Sequence, residues 1–314
     1  MTIGQVKDNI QGVICSEAMF GLNLYACLKK DKDLVLKEIQ ITNVLRKDIS
    51  ALIKSVVSIL MLSDEAEIDS VDNIADNRKI LYEVPQTESY HPFSFLEIDQ
   101  NQIDYYNEED QKSLVGYAFR VNKNDYHVWF YQQVYPVRLL KRSLALYAIL
   151  NTGTTYTILD KDIFKIEPRI DIAIIDGSII TARVDLLQKS FGFEKYVRNE
   201  AKKTIDRIGL MNLLRDTAKL EELIEKEKLT VAKKLMKVQN SPVFSMQQTE
   251  LIASLQQHPR YKDKFVYENN KIVIQTQKAA CEFIKMLNDD IVRSDLTNQE
   301  YDSSSKQILP PLIP

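Results

Sequence analysis

Glycine, proline, cysteine and histidine are all scarce in this chain of 314 residues, with eight, nine, three and three copies. The few glycines form no GxxxxGK[ST] or GxGxxG stretch, so the backbone-lined phosphate loops of common nucleotide-binding folds are excluded. No GxSxG occurs, which removes the nucleophile elbow of the α/β-hydrolases. Cys15, Cys27 and Cys281 are odd in number and far apart, a pattern of packing thiols in a reducing compartment. His91, His127 and His258 show no HExxH or clustered Cys/His spacing, so neither a metal site nor any other cofactor is expected. Long apolar runs are missing too: the stretch 56–62 falls far short of the roughly 20 residues a spanning helix needs. The first residues carry Lys7 and Asp8 where a signal peptide would be apolar, and the expected location is the cytoplasm.

Charge of one sign is not in excess either. Against 44 acidic residues stand 41 basic ones, a formal net charge of −3, so attraction to a polyanion has to come from local clusters. What the chain has is 45% apolar and 27% charged residues, the balance of an ordinary folded protein. Its length exceeds the usual single core, and two domains are expected.

Periodicity places the elements. Residues 20–28 and 34–41 alternate on either side of a charged turn and predict a hairpin. Thr42 or Asn43 can cap a helix over 44–62, with Ile49, Leu52, Ile53, Val56 and Leu60 as its apolar stripe. Residues 63–77 are acidic and read as a solvated connection, and 79–84 as a strand. Another hairpin is predicted from 115–121 and 126–134 around Asn122-Lys123-Asn124-Asp125, then strands over 144–150, 155–159, 171–175 and 179–183. Asp176-Gly177 tolerates the positive φ of a tight turn and signals a hairpin between the last two. Beyond Asp185 the pattern turns helical over 186–191, 194–208, 217–224, 229–238 and 247–256, with a small hairpin at 265–274 and a last helix over 276–287. Strands first and helices afterwards predict an α+β fold. The expected organisation is a small hairpin-and-helix domain over 1–110, a core domain over 111–302 with a twisted, mostly antiparallel sheet and a helical C-terminal half, and a loose tail over 303–314.

Basic stripes are the features that suggest a chemistry. On the helix predicted over 194–208, Lys195, Arg198 and Lys202 recur at three- and four-residue spacing, with Lys203 and Arg207 nearby. A second set is Lys233, Lys234 and Lys237, beside Lys226, and a third is Arg138, Lys141 and Arg142. If they converge they would track a phosphate backbone, with steep salt dependence and little sequence selectivity; scattered, they are solvated helix faces. Trp129, Tyr131 and Tyr135 could stack on bases, although strand alternation favours burial. A Mg²⁺ nuclease would need Asp176 or Asp185 beside Glu200-Ala201-Lys202, or Asp289, in a D…ExK arrangement. A helical 194–208 throws Glu200 and Lys202 to nearly opposite sides, so no catalytic residue is assigned. Asp289 and Asp290 read as the turn after the last helix.

The ending Lys285-Met286-Leu287-Asn288-Asp289-Asp290, followed by Ser294, Leu296, Thr297, Tyr301 and Lys306, resembles the C-terminal signature of the KwaB family of Kiwa anti-phage defence systems. The similarity runs over about 116–306, through 170–180 and Phe191-Gly192-Phe193-Glu194, while Asn298 stands where a small residue is expected. That resemblance implies a non-enzymatic effector that binds double-stranded phage DNA and obstructs its replication or transcription. It further implies a membrane-embedded sensor partner, KwaA, which would bring the chain to the inner membrane without a span of its own. A homodimer or higher homo-oligomer is the expected assembly. Two other readings stay open: the Mg²⁺-dependent nuclease, and an assembly protein without DNA affinity.

Overall fold

A computed structural model describes residues 2–14, 21–31, 33–63, 66–70, 80–123, 126–134, 149–151, 156–158, 166–226, 229–239, 241–294, 296 and 299–302. The chain has mixed α/β architecture and forms two compact units, one of residues 1–69 and 77–183, the other of 70–76 and 184–314.

The first unit opens with α1 (Ile3–Ile14), whose Val6, Ile10, Val13 and Ile14 are buried. Sequence reading passed over this helix because polar residues fill the rest of its turns. The expected hairpin follows as β1 (Gly21–Lys30) and β2 (Asp33–Ile39), paired antiparallel from Leu24↔Ile39 to Lys30↔Asp33. Alternation in β1 is weak because β1 lies between β2 and β5 and is buried along most of its length. Next comes α2 (Asn43–Leu60), capped by the Thr42 hydroxyl, which accepts from Leu45 N–H. Its buried stripe is Ile49, Ile53, Val56 and Val57, while Leu60 is exposed.

After α2 the acidic stretch expected as a connection supplies β3 (Glu67–Ser70), and residues 71–79 lie outside the described set. Then come β4 (Ile80–Pro85), three short 3₁₀ turns between Ser94 and Ser113, β5 (Leu114–Lys123), β6 (Tyr126–Gln133), β7 (Ile149–Asn151), β8 (Tyr156–Ile158), β9 (Ile172–Ile175) and β10 (Ser178–Thr181). Asp176 and Gly177 between the last two both have positive φ, as their turn requires. Eight strands form one sheet in the order β2-β1-β5-β6-β9-β10-β4-β3, antiparallel at every pairing from β2 to β4, and β7 pairs with β8 in a separate two-stranded sheet.

The domain boundary expected at residue 110 therefore falls inside a sheet. Strands from both sides of it pair, β1 with β5 and β4 with β10, and the chain divides instead between Arg183 and Val184. Period-two alternation sorts the two faces of that sheet. One carries Leu22, Leu24, Phe119, Val121, Val128, Phe130, Ala173 and Ile175 and packs with α1 and α2. On the other lie Tyr25, Trp129 and Tyr131, with Phe93 from the turn segment edge-on to Tyr131 at 5.8 Å.

The second unit is mostly helical: α3 (Val184–Ser190), α4 (Phe193–Leu210), α5 (Ala218–Lys226), α6 (Leu229–Val238), α7 (Gln248–Gln257) and α8 (Gln277–Leu287). Two small hairpins complete it, β11 (Val266–Glu268) with β12 (Lys271–Val273) and β13 (Ile291–Arg293) with β14 (Glu300–Asp302). Asn269 and Asn270 both take positive φ at the first hairpin turn, the conformation that asparagine tolerates. The core forms where Phe193, Val197, Ala201, Ile205 and Ile208 of α4 meet the buried stripes of α5 and α6, which in turn pack against α8. The tail from 303 lies outside the described residues.

Candidate nucleic-acid interface

Helix α4 is amphipathic by necessity. Five apolar side chains on one side close the core, and the opposite side carries Lys195, Asn199, Lys202, Lys203 and Asp206. Lys195, Asn199 and Lys202 recur at i, i+4 and i+7 and stand in a row. That row lines a groove of about 560 Å³, completed by Gln188 and by Ile224 and Glu225 at the end of α5. The neutral polar lining groups Gln188 and Asn199 escaped a sequence search guided by charge, although the i+4 spacing from Lys195 places Asn199.

The groove is mixed in sign. Glu194 and Glu225 line it with Lys195, Arg198 and Lys202. Lys202 reaches Glu225 at 3.5 Å, both groups more than half exposed, so the pair is weak and exchangeable. Arg198 is engaged differently: its Nη2 is 2.9 Å from Glu194 and its Nη1 donates to the Ile224 carbonyl, which ties α4 to the end of α5. Lys203 sits about 100° further around the helix, paired with Glu200 at 2.6 Å and exposed. Arg207 donates to Gln239 beyond the end of α6.

The second basic set does not present itself as a stripe. Lys233 is 5% exposed, with its ammonium 5.4 Å from the centroid of the Phe193 ring. That is a packed cation–π contact. Lys234 points to Asp290, 2.8 Å away and 2% exposed, while Asn288 donates to the Lys234 carbonyl at 2.8 Å. The Asn288-Asp289-Asp290 ending thus clamps α6 to the exit of α8, with Asp289 at positive φ to make the turn. Lys237 is half-buried. Lys226 belongs to α5, where it and Lys219 bond Glu222 and hold its carboxyl down to about 2. The stripe expected from Lys233, Lys234 and Lys237 fails because two of its members are used in packing, a use their spacing does not reveal. Arg138, Lys141 and Arg142, together with Tyr135, lie outside the described residues.

The carboxylates of the nuclease reading are scattered among other duties. Asp185 is 3.7 Å from Lys189, Glu200 holds Lys203, and Asp176 accepts from Asn9 at 2.6 Å. Glu200 and Lys202 are on a helix and diverge. Among the described residues no cluster of three or more metal-ligating side chains occurs. No helix among them is long and apolar enough to cross a membrane.

A family model described as Kiwa protein KwaB-like matches residues 111–297. The chain belongs to the KwaB-like family. It is also 23% identical over 255 residues to a protein named Kiwa protein KwaB from Escherichia coli O55:H7 (strain RM12579 / EPEC), covering 76% of this chain and 78% of that one. No solved structure gives a significant match. The KwaB-like region begins where the turn segment enters β5 and ends just beyond β13, so it takes in the whole row on α4 and the Asn288–Asp290 clamp. It starts within the eight-stranded sheet, whose β1 to β4 precede it.

Proposed function

We propose that this KwaB-like chain is the DNA-binding effector of a Kiwa defence system, gripping duplex phage DNA by its phosphates and obstructing replication or transcription without cutting it. The reading is carried by the exposed row Lys195–Asn199–Lys202, flanked by Lys203 and Arg207 on one rigid helix. Its partners among the acids are solvent-exposed, or reached from an exposed ammonium, and a phosphate can displace them at little cost. Arg198 serves as a brace. In the same reading a membrane-embedded sensor, KwaA, recruits the chain to the inner membrane, and the working form is a homo-oligomer.

Titrating a fluorescent duplex by anisotropy at two salt concentrations tests it. Four contacts, from Lys195, Lys202, Lys203 and Arg207, give a slope of log K on log salt of about −3.6, or roughly a 150-fold loss between 50 and 200 mM salt. Lys202→Ala lowers affinity and flattens the slope by about 1, and the double reversal Lys202→Glu, Arg207→Glu abolishes binding. An unchanged slope in the folded variants removes α4 from the interface. Fragments that appear with Mg²⁺ and not with EDTA replace the binding reading with a nuclease. No binding at either salt, together with tight association with the sensor, replaces it with an assembly role.

A further inference from the structure

In the first unit, on the sheet face that carries Trp129, there is a pocket of about 480 Å³ between the turn segment and strands β5, β6 and β9. That volume lies in the ~300–1,000 Å³ range of small-ligand sites. Its lining combines Phe93, Trp129 and His127 with Gln86, Arg120 and Asp176. Arg120 and Trp129 are register partners, and the guanidinium carbon stands 5.9 Å from the indole centroid. His127 meets the same indole edge-on, with centroids 6.4 Å apart. Arg120 Nε and Gln86 Oε1 are both buried and find no hydrogen-bond partner among the described residues. Leaving such groups unmade is costly, which marks them as waiting for one.

Each group has a matching chemistry. A guanidinium pairs with a phosphate, a primary amide offers the adjacent donor and acceptor that read an adenine edge, and aromatic faces take a base. The acids limit the ligand's charge. Glu97 also lines the pocket, 2.9 Å from His91, and Asp176 accepts from Asn9, so the lining holds two carboxylates and a single guanidinium. We propose that this pocket binds a nucleoside monophosphate, with the phosphate on Arg120, the base against His127 and the edge of Trp129, and Gln86 reading the base.

Trp129 is the chain's one tryptophan, so its emission reports on this pocket alone. Titrating the full chain with AMP, GMP, CMP and UMP is expected to give a saturable emission change, tightest with AMP. Adenosine, ribose 5-phosphate and ATP bind at least tenfold more weakly. Arg120→Gln and Gln86→Ala each weaken AMP at least tenfold with an unchanged far-ultraviolet CD spectrum, and Gln86→Ala alone decides if Arg120→Gln does not fold. The proposal falls if no monophosphate gives saturation up to about 10 mM, a limit weaker than −3 kcal/mol. It falls equally if ribose 5-phosphate matches AMP, if neither variant loses affinity, or if only a single-stranded oligonucleotide binds. Failure here leaves the helix-α4 reading untouched, because that reading is tested by duplex binding through different residues.

Discussion

Replacing Lys234 by alanine should destabilise the second unit more than replacing its partner Asp290, although both changes delete the same 2.8 Å ion pair. The asymmetry comes from burial. The Asp290 side chain is 3% exposed and that of Lys234 31%, so only the lysine can turn to water when its partner goes. Lys234→Ala strands a buried carboxylate, which costs about 3 kcal/mol, near the lower end for breaking a buried pair. Asp290→Ala loses a charge-assisted hydrogen bond and costs about 1.5–2 kcal/mol; the Asp290 N–H still reaches the Lys285 carbonyl. The double variant should cost less than the sum by about 1.5 kcal/mol, a coupling typical of paired residues. Urea denaturation read by far-ultraviolet CD follows chiefly the helices of this unit, which holds α3 to α8 against α1 and α2 in the other, while Trp129 emission follows the sheet of the first unit. Equal costs, the reverse order or strict additivity would refute the reasoning. The same variant separates packing from DNA contact: with Lys234 inside the clamp, Lys234→Ala leaves the salt slope of DNA binding unchanged.

Three further outcomes follow from local geometry. A Cβ added at Gly116 would overlap the Tyr131 ring, which is 1% exposed, so Gly116→Ala should cost about 1–3 kcal/mol in urea denaturation. Thr276→Ala removes the hydroxyl that accepts from Ala279 N–H at the start of α8, for a loss of about 1 kcal/mol by the same assay. Burial, aided by the Arg120 charge and opposed by Asp176, holds His127 below the usual histidine range. The folded state then binds fewer protons than the unfolded one as pH falls through about 6.5. Stability declines on acidification through that window, and His127→Gln should flatten that part of a stability–pH profile.

The KwaB-like ending was legible in sequence because Asn288-Asp289-Asp290 follows a strongly periodic helix, but its purpose was not. A turn explains three polar residues after a helix, and nothing local says that Asp290 will be buried against Lys234, 56 positions earlier. The hairpins at 122–125 and 176–177 were legible because their turn chemistry is local. The boundary at 110 was misplaced because an acidic, Asn- and Gln-rich segment looks the same between two domains as it does covering the face of one sheet.

Local pattern by itself determined most strands of the first half, though not β3, together with the helices of the second, the cap Thr42 and the two-sided character of α4. These depend on side-chain period and turn conformation, which act over a few residues. Tertiary structure alone decided that β1 and β4 would share a sheet with β5 and β10, which lysines would be spent in packing, and that Arg120, Trp129 and Gln86 would wall one pocket. Those outcomes depend on pairing between distant segments, where burial and the need to satisfy each buried charge choose among arrangements that spacing leaves equal.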